Sequence, residues 1–153
     1  MSSALVPALA VFALLGVVLA VVDVRTRRLP DAILMPGGAA AVLSLCAAAI
    51  GVGEPWRLLG VAGGAIGAFV TCLALHLARP ASFGGGDVKL AGLCGAFLGW
   101  CGPEAVASGI AAGVVVGGVA AAGAVLAGAR GATIAFGPFL VLGTWWRLLT
   151  GPW

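Results

Sequence analysis

Charged side chains are scarce in this chain, and their scarcity excludes a soluble protein. Only 8% of the 153 residues are charged, whereas soluble domains carry about 25%. Hydrophobic residues make up 62%, which is more apolar surface than a soluble core of this length could hide. We therefore expect an all-α membrane protein, a polytopic bundle of about six transmembrane helices that forms a single domain over residues 1–153.

Other shortages exclude further classes of function. The net charge of +3 is too small and too scattered for nucleic-acid binding. The cysteines form no CxxC pair and lie in or beside apolar segments, so we expect packing residues rather than disulfides, and neither a metal nor another cofactor. The lone histidine, His76, is typical of a packing residue rather than a catalyst. The four cysteines are Cys46, Cys72, Cys94 and Cys101.

Polar residues and turn formers divide the chain into six apolar segments. A membrane span needs about 20 apolar residues, and all segments except the fourth approach that length. The fourth can cross a membrane only if the glycine run before it lies partly within the bilayer. The segments cover approximately residues 5–22, 32–52, 58–78, 88–101, 105–129 and 132–149.

Glycine is abundant within these segments, often at a spacing of four. Small residues at this spacing let helix backbones approach closely, so we expect a compact bundle, and we do not expect dimerisation from this pattern. The spacings are Gly60-xxx-Gly64, Gly63-xxx-Gly67, Gly109-xxx-Gly113 and Gly113-xxx-Gly117.

The basic residues are distributed unevenly between the two sides of the predicted bundle. Six of the eight fall in the first, third and fifth loops, which the positive-inside rule places in the cytoplasm. The five tryptophans all fall on the other side, where indole rings suit the headgroup level. We therefore expect a multi-pass protein of the cytoplasmic membrane with both termini external.

Asp23 and Asp87, among only five acidic residues, lie at two different cytoplasmic borders of the apolar segments. Asp23 ends the first apolar segment, and Asp87 follows Gly84, Gly85 and Gly86 directly before the fourth. A carboxylate near hydrocarbon is costly and therefore functional by default. Two carboxyls close together do not both ionise easily, so one keeps a proton while the other acts as a base toward water. Peptide hydrolysis without a covalent intermediate requires this arrangement.

Three motifs resemble those of the type IV prepilin peptidases. The run FGGGDVKL at 83–90 is similar to the family's GxGD motif, and Asp23 followed by Leu29-Pro30 resembles its other aspartate motif. The run FGPFL at 136–140 resembles a sequence in the family's last helices. Presenilin-like proteases share GxGD but usually carry a Tyr-Asp pair, and this chain contains no tyrosine. The resemblance implies an aspartyl endopeptidase that removes the leader of prepilin or pilin-like proteins at the cytoplasmic face.

The resemblance also assigns roles to individual residues. Asp23 and Asp87 are the expected catalytic dyad, and Gly84, Gly85 and Gly86 are expected to form an active-site loop.

For some residues outside the dyad, the expected role has an alternative. Lys89 is expected either to keep one aspartate ionised or to anchor the topology as a positive-inside residue. Gly137 and Pro138 are expected to break or bend the sixth helix and admit a substrate strand, with a simple proline kink as the alternative. Asp31, which follows Pro30, is expected to cap the second helix.

The expected partners are a prepilin-like substrate and membrane lipid, and the oligomeric state is left open. Longer family members carry an N-terminal extension with paired cysteines that is associated with methylation. The chain begins at the first core helix, so we expect a peptidase without methyltransferase activity. Two alternatives stay open: an ion- or proton-coupled carrier that uses the same carboxylates, and a non-enzymatic membrane scaffold.

Overall fold

A computed structural model of the chain describes residues 3–26, 29–78, 84–128 and 135–151. Within these ranges there are six α-helices and no strand, as expected for an all-α protein. A short 3-10 turn at Ser3–Leu5 leads into the first helix. The helices are α1 (Val6–Thr26), α2 (Asp31–Gly51), α3 (Arg57–Ala78), α4 (Gly85–Gly99), α5 (Pro103–Leu126) and α6 (Gly137–Thr150).

Four of the helices, α1, α2, α3 and α5, are long and apolar enough to cross a membrane. Their outward faces carry large apolar side chains, among them Leu14, Leu43, Leu59, Ile66 and Val119. A surface of this kind suits lipid rather than water. The protein is therefore a multi-pass membrane protein. Several residues on which the orientation argument depends lie outside the described residues: Arg27, Arg28, Arg79, Arg130 and Trp153.

Helix α4 lies at the centre of the bundle, against α2, α3, α5 and α6. From Val88 to Trp100 every residue is buried except Lys89 and Gly92. At about 1.5 Å per residue, its 15 residues rise only about 22 Å, which is less than the thickness of a bilayer core. Because neighbouring helices cover it, α4 does not need the length of a lipid-exposed span.

Glycines bring the backbone of α4 directly against the backbone of α3. Gly60 and Gly64 of α3 face Gly95 and Gly99 of α4. A Cβ atom added at Gly64 would overlap the carbonyl oxygen of Gly95, and one added at Gly95 would overlap the carbonyl oxygen of Gly64. The predicted spacing Gly60-xxx-Gly64 therefore packs α3 against α4 within the chain.

The same device joins α5 to α6. A Cβ atom at Gly143 of α6 would lie 2.5 Å from the carbonyl oxygen of Gly109, and one at Gly113 would lie 2.8 Å from the carbonyl oxygen of Phe139. Gly117 instead receives the ring of Phe136, whose Cε2 atom would lie 2.6 Å from an added Cβ atom. The start of α6 is thereby held against α5.

Two helix boundaries differ from the prediction, and each shift changes the setting of an aspartate. α1 continues to Thr26, so Asp23 lies within the helix rather than at its end. α4 begins at Gly85, so Asp87 lies in its first turn rather than in a preceding loop.

Gly137 and Pro138 were expected to break or bend the sixth helix, and in the described part of the chain no helix runs through them. These two residues begin α6 instead. Proline is well suited to the first turn because the amides there have no partner within the helix, so its missing N–H costs no hydrogen bond.

Replacement of Gly64 by alanine should destabilise the protein, whereas replacement of Gly63 should not. The new Cβ atom at position 64 forces α3 from α4, and overpacking of this kind costs about 1–3 kcal/mol. Gly63 has nothing within 4 Å of an added Cβ atom, so alanine there should stabilise the helix by about 0.5–1 kcal/mol. Thermal unfolding in detergent compares the two variants, and shifts of the same sign would contradict direct backbone contact.

Candidate active site

Asp23 is buried on the inward face of α1, with only 5% of its surface exposed. It continues a buried stripe that contains Phe12, Leu15 and Leu19, at the three- and four-residue spacing of one helix face. A carboxyl group in such a place needs a hydrogen-bond donor. The backbone N–H of Gly137 supplies it, and donates to Oδ2 of Asp23 at 3.1 Å.

The start of α6 explains why this donor is free. Gly137 is the first residue of the helix, so its N–H has no partner within α6. Pro138 has no N–H, and the N–H of Phe139 donates to the carbonyl of Phe136 at 3.1 Å. A Cβ atom at position 137 would lie 2.8 Å from Oδ2 of Asp23. Glycine therefore allows the backbone to approach the carboxyl, and the positive end of α6 favours that contact.

Asp87 is the third residue of α4 and is 7% exposed. The backbone N–H of Gly84 donates to its Oδ2 at 3.1 Å, and its own N–H donates to the carbonyl of Gly84 at 3.1 Å. The other oxygen, Oδ1, is buried and has no hydrogen-bond partner among the described residues. A buried polar atom of this kind usually has a partner, so Oδ1 is an unsatisfied acceptor of the site.

The two carboxyls lie at the same end of the bundle, Asp23 in the last turn of α1 and Asp87 in the first turn of α4. The start of α6 lies beside both helices, because an added Cβ atom at Gly137 would also lie 3.3 Å from Leu90, one turn after Asp87. The backbones of α1 and α4 are not in contact, because no Cα atom of α1 lies within 8 Å of a Cα atom of α4. Side chains fill this space, including the stacked rings of Phe12 and Phe97, whose centroids are 4.3 Å apart.

The three glycines before Asp87 differ in their surroundings. Gly84 precedes α4 and donates to Asp87, while Gly85 has nothing within 4 Å of an added Cβ atom. At Gly86 an added Cβ atom would lie 2.7 Å from the Cβ atom of Leu29. The segment predicted to be a loop is thus the cap and first turn of α4. Sequence reasoning missed the contact between Leu29 and Gly86, although both residues belong to motifs it had identified.

Lys89 is not directed at either catalytic candidate. Its Nζ lies 2.7 Å from Oδ1 and 2.6 Å from Oδ2 of Asp31, the first residue of α2. The expected electrostatic support of one catalytic aspartate is therefore replaced by an ion pair with a third acidic residue. The predicted capping role of Asp31 is also wrong, because Pro30 holds the cap position and no side chain caps the helix there.

The four cysteines were expected to be packing residues rather than disulfides. Cys72 and Cys94 are buried packing residues, and all four cysteines are free thiols. In the part of the chain that the structure describes, no three His, Cys, Asp or Glu side chains are grouped as metal ligands would be. The site is built from two carboxyls, first-turn amides and apolar side chains.

A model of the type IV leader peptidase family matches residues 10–122. The chain belongs to the type IV leader peptidase family. The matched region contains both aspartates, whereas the FGPFL run at 136–140 lies beyond it. A search of curated proteins and a search of solved structures each found no match. Membership supports a type IV leader peptidase-like protease, which is a hydrolase, and the spanning helices make it a membrane protein.

Replacement of Gly137 by alanine should lower peptidase turnover by about 10- to 100-fold, because the new Cβ atom displaces the Asp23 carboxyl and small misplacements at a reacting centre are costly. Gly85→Ala is the matched control, since open space surrounds that position. Turnover is measured with purified protein at equal folded concentration. Equal activity of the two variants would contradict the close approach of Gly137 to Asp23.

Proposed function

We propose that this protein is a membrane-embedded aspartyl endopeptidase that removes the leader peptide of prepilin or pilin-like proteins at the cytoplasmic face. The supporting observation is the burial of Asp23 and Asp87 at one end of the bundle, beside the start of α6, in a chain with only five acidic residues. Burial of two carboxyls is costly, and a shared catalytic water gives it a reason.

The proposed reaction divides acid and base work between the two carboxyls. The ionised carboxyl removes a proton from water, and the water oxygen attacks the scissile carbonyl carbon. The protonated carboxyl gives its proton to the carbonyl oxygen, which produces a gem-diol. The C–N bond then breaks as the nitrogen receives the proton taken from water, and a gem-diol hydroxyl returns a proton to the other carboxyl. Both aspartates end in their starting states.

Backbone amides support this chemistry by holding one oxygen of each carboxyl. Gly137 donates to Asp23, and Gly84 donates to Asp87. Each aspartate is thus oriented through Oδ2, and Oδ1 of Asp87 remains available to the water or to the substrate carbonyl.

The apolar exterior of the bundle suits a substrate whose hydrophobic helix lies in the same membrane. Such a helix can approach through lipid, while the carboxyls, at one end of α1 and α4, meet the peptide bond at the membrane border. The pilin-like protein that is cleaved determines which pilus or secretion system the peptidase serves.

The cytoplasmic placement of the site rests on charge and tryptophan distribution. At the opposite end of the bundle from Asp87, Arg57 lies between the rings of Trp56 and Trp100, with its guanidinium carbon 5.1 and 4.9 Å from their centroids. It also pairs with Glu54 and donates to the carbonyl of Trp100. This aromatic cluster is typical of a headgroup region, and the proposed orientation assigns it to the external side.

Asp23→Asn and Asp87→Asn should each lower leader cleavage by about 10²- to 10⁴-fold, because an amide cannot exchange the proton that water activation needs. Purified variants are mixed with a pilin-like protein in lipid nanodiscs, and the shortened product is quantified by mass spectrometry. Glu104→Gln, at the other end of the bundle, is the distant control, and Asp31→Asn should lower cleavage by about fivefold at most, far less than either dyad variant. Near-normal cleavage by either dyad variant would refute the aspartyl mechanism, and would leave a carrier or scaffold as the alternative.

Orientation is tested by single cysteines placed in a variant without the four native ones. Cysteine at Glu54 should react with a membrane-impermeant thiol reagent in intact cells, whereas cysteine at Arg25 should react only after the cells are permeabilised. The opposite pattern would place the two aspartates at the external face.

A further inference from the structure

The sequence has one lysine, and the structure pairs it with one of only five acidic residues. Both oxygens of Asp31 accept hydrogen bonds from the Lys89 ammonium, at 2.7 and 2.6 Å. Asp31 begins α2, and Lys89 lies in the second turn of α4. The pair therefore connects α2 to α4 through two residues that are 58 positions apart in the chain.

A second contact lies beside this ion pair. Leu29, two residues before Asp31, lies so close to Gly86, three residues before Lys89, that a Cβ atom added at Gly86 would be 2.7 Å from the Cβ atom of Leu29. The α2 end of the α1–α2 connection is thus attached to the first turns of α4 by one apolar contact and one ionic contact. We refer to Leu29, Asp31, Gly86 and Lys89 as the clamp.

The clamp matters because the two helices that carry the aspartates have no backbone contact of their own. No Cα atom of α1 comes within 8 Å of one in α4. Asp23 lies near the end of α1, only eight residues before Asp31, and Asp87 lies between the two clamp residues of α4. Attachment of residues 29–31 to α4 therefore restrains how far the Asp23 end of α1 can move from Asp87.

We propose that Lys89 and Asp31 are positioning residues that hold the Asp23 end of α1 in register with Asp87. They contact neither the carboxyls of the dyad nor the proposed water, and they act through the α1–α2 connection. The catalytic consequence rests on the proposed peptidase function, whereas the geometric consequence does not. The ion pair is partly exposed, with 41% and 59% of the two side chains accessible, so salt should weaken it.

The geometric test needs no peptidase activity. In a variant without native cysteines, Asp23 and Asp87 are replaced by cysteine and joined with a short bifunctional thiol crosslinker. Crosslinking should be fast with Lys89 present, and about fivefold slower with Lys89→Gln, since exposed pairs contribute about 1 kcal/mol at most. Lys89→Arg keeps the charge and should restore the rate. Rates that are equal for Lys89 and Lys89→Gln would overturn the proposal.

The catalytic test uses the protein with its native aspartates and a pilin-like substrate. Lys89→Gln should lower kcat by about fivefold with KM unchanged, because orientation rather than substrate binding is affected. The activity of the original protein should fall with added salt, and that of Lys89→Gln should not. A change confined to KM, or the same salt response in both proteins, would overturn the positioning role.

A charge-reversed pair is a control for both tests, because it distinguishes loss of the ion pair from misfolding of a single variant. Asp31→Lys combined with Lys89→Asp should recover crosslinking and kcat relative to either single change, and no recovery would count against the clamp. Failure of the original protein to cleave any pilin-like substrate, with the crosslinking differences intact, would refute the proposed function and leave the clamp standing.

Discussion

The position of Asp87, and with it the candidate site, depends on how closely α4 packs against its neighbours. Facing glycines at Gly64 and Gly95 let the backbones of α3 and α4 touch, and no larger residue fits there without separating the helices. This contact keeps a 15-residue helix covered by protein instead of lipid. Asp87 can therefore occupy the first turn of a short, central helix, near hydrocarbon yet shielded from it.

Both catalytic candidates use the same property of helices, the unpaired amides of a first turn. Asp87 accepts the N–H of Gly84 at the start of its own helix, and Asp23 accepts the N–H of Gly137 at the start of another. Glycine at each donor position lets the backbone approach a carboxyl without a Cβ atom between them. A membrane protein with few polar side chains thus orients its acidic groups with its backbone.

The few charges outside the dyad have mostly structural partners among the described residues. Asp31 pairs with Lys89 beside the candidate site, and Glu54 pairs with Arg57 in the tryptophan cluster at the far end. Arg57 also supports the end of α4 by donating to the carbonyl of Trp100. Polar interactions therefore hold both ends of α4, while apolar contacts and glycines hold its middle.

Composition and spacing were sufficient for the fold class and the six apolar segments, and they indicated Asp23 and Asp87 as candidates, because hydropathy and costly charges are local properties of a membrane sequence. Packing alone decided the rest. Three contacts join residues more than 55 positions apart. Gly137 starts a helix and donates to Asp23, Leu29 packs against Gly86, and Lys89 pairs with Asp31. Such partners depend on how the helices are arranged in three dimensions, and no local pattern of one sequence specifies that arrangement.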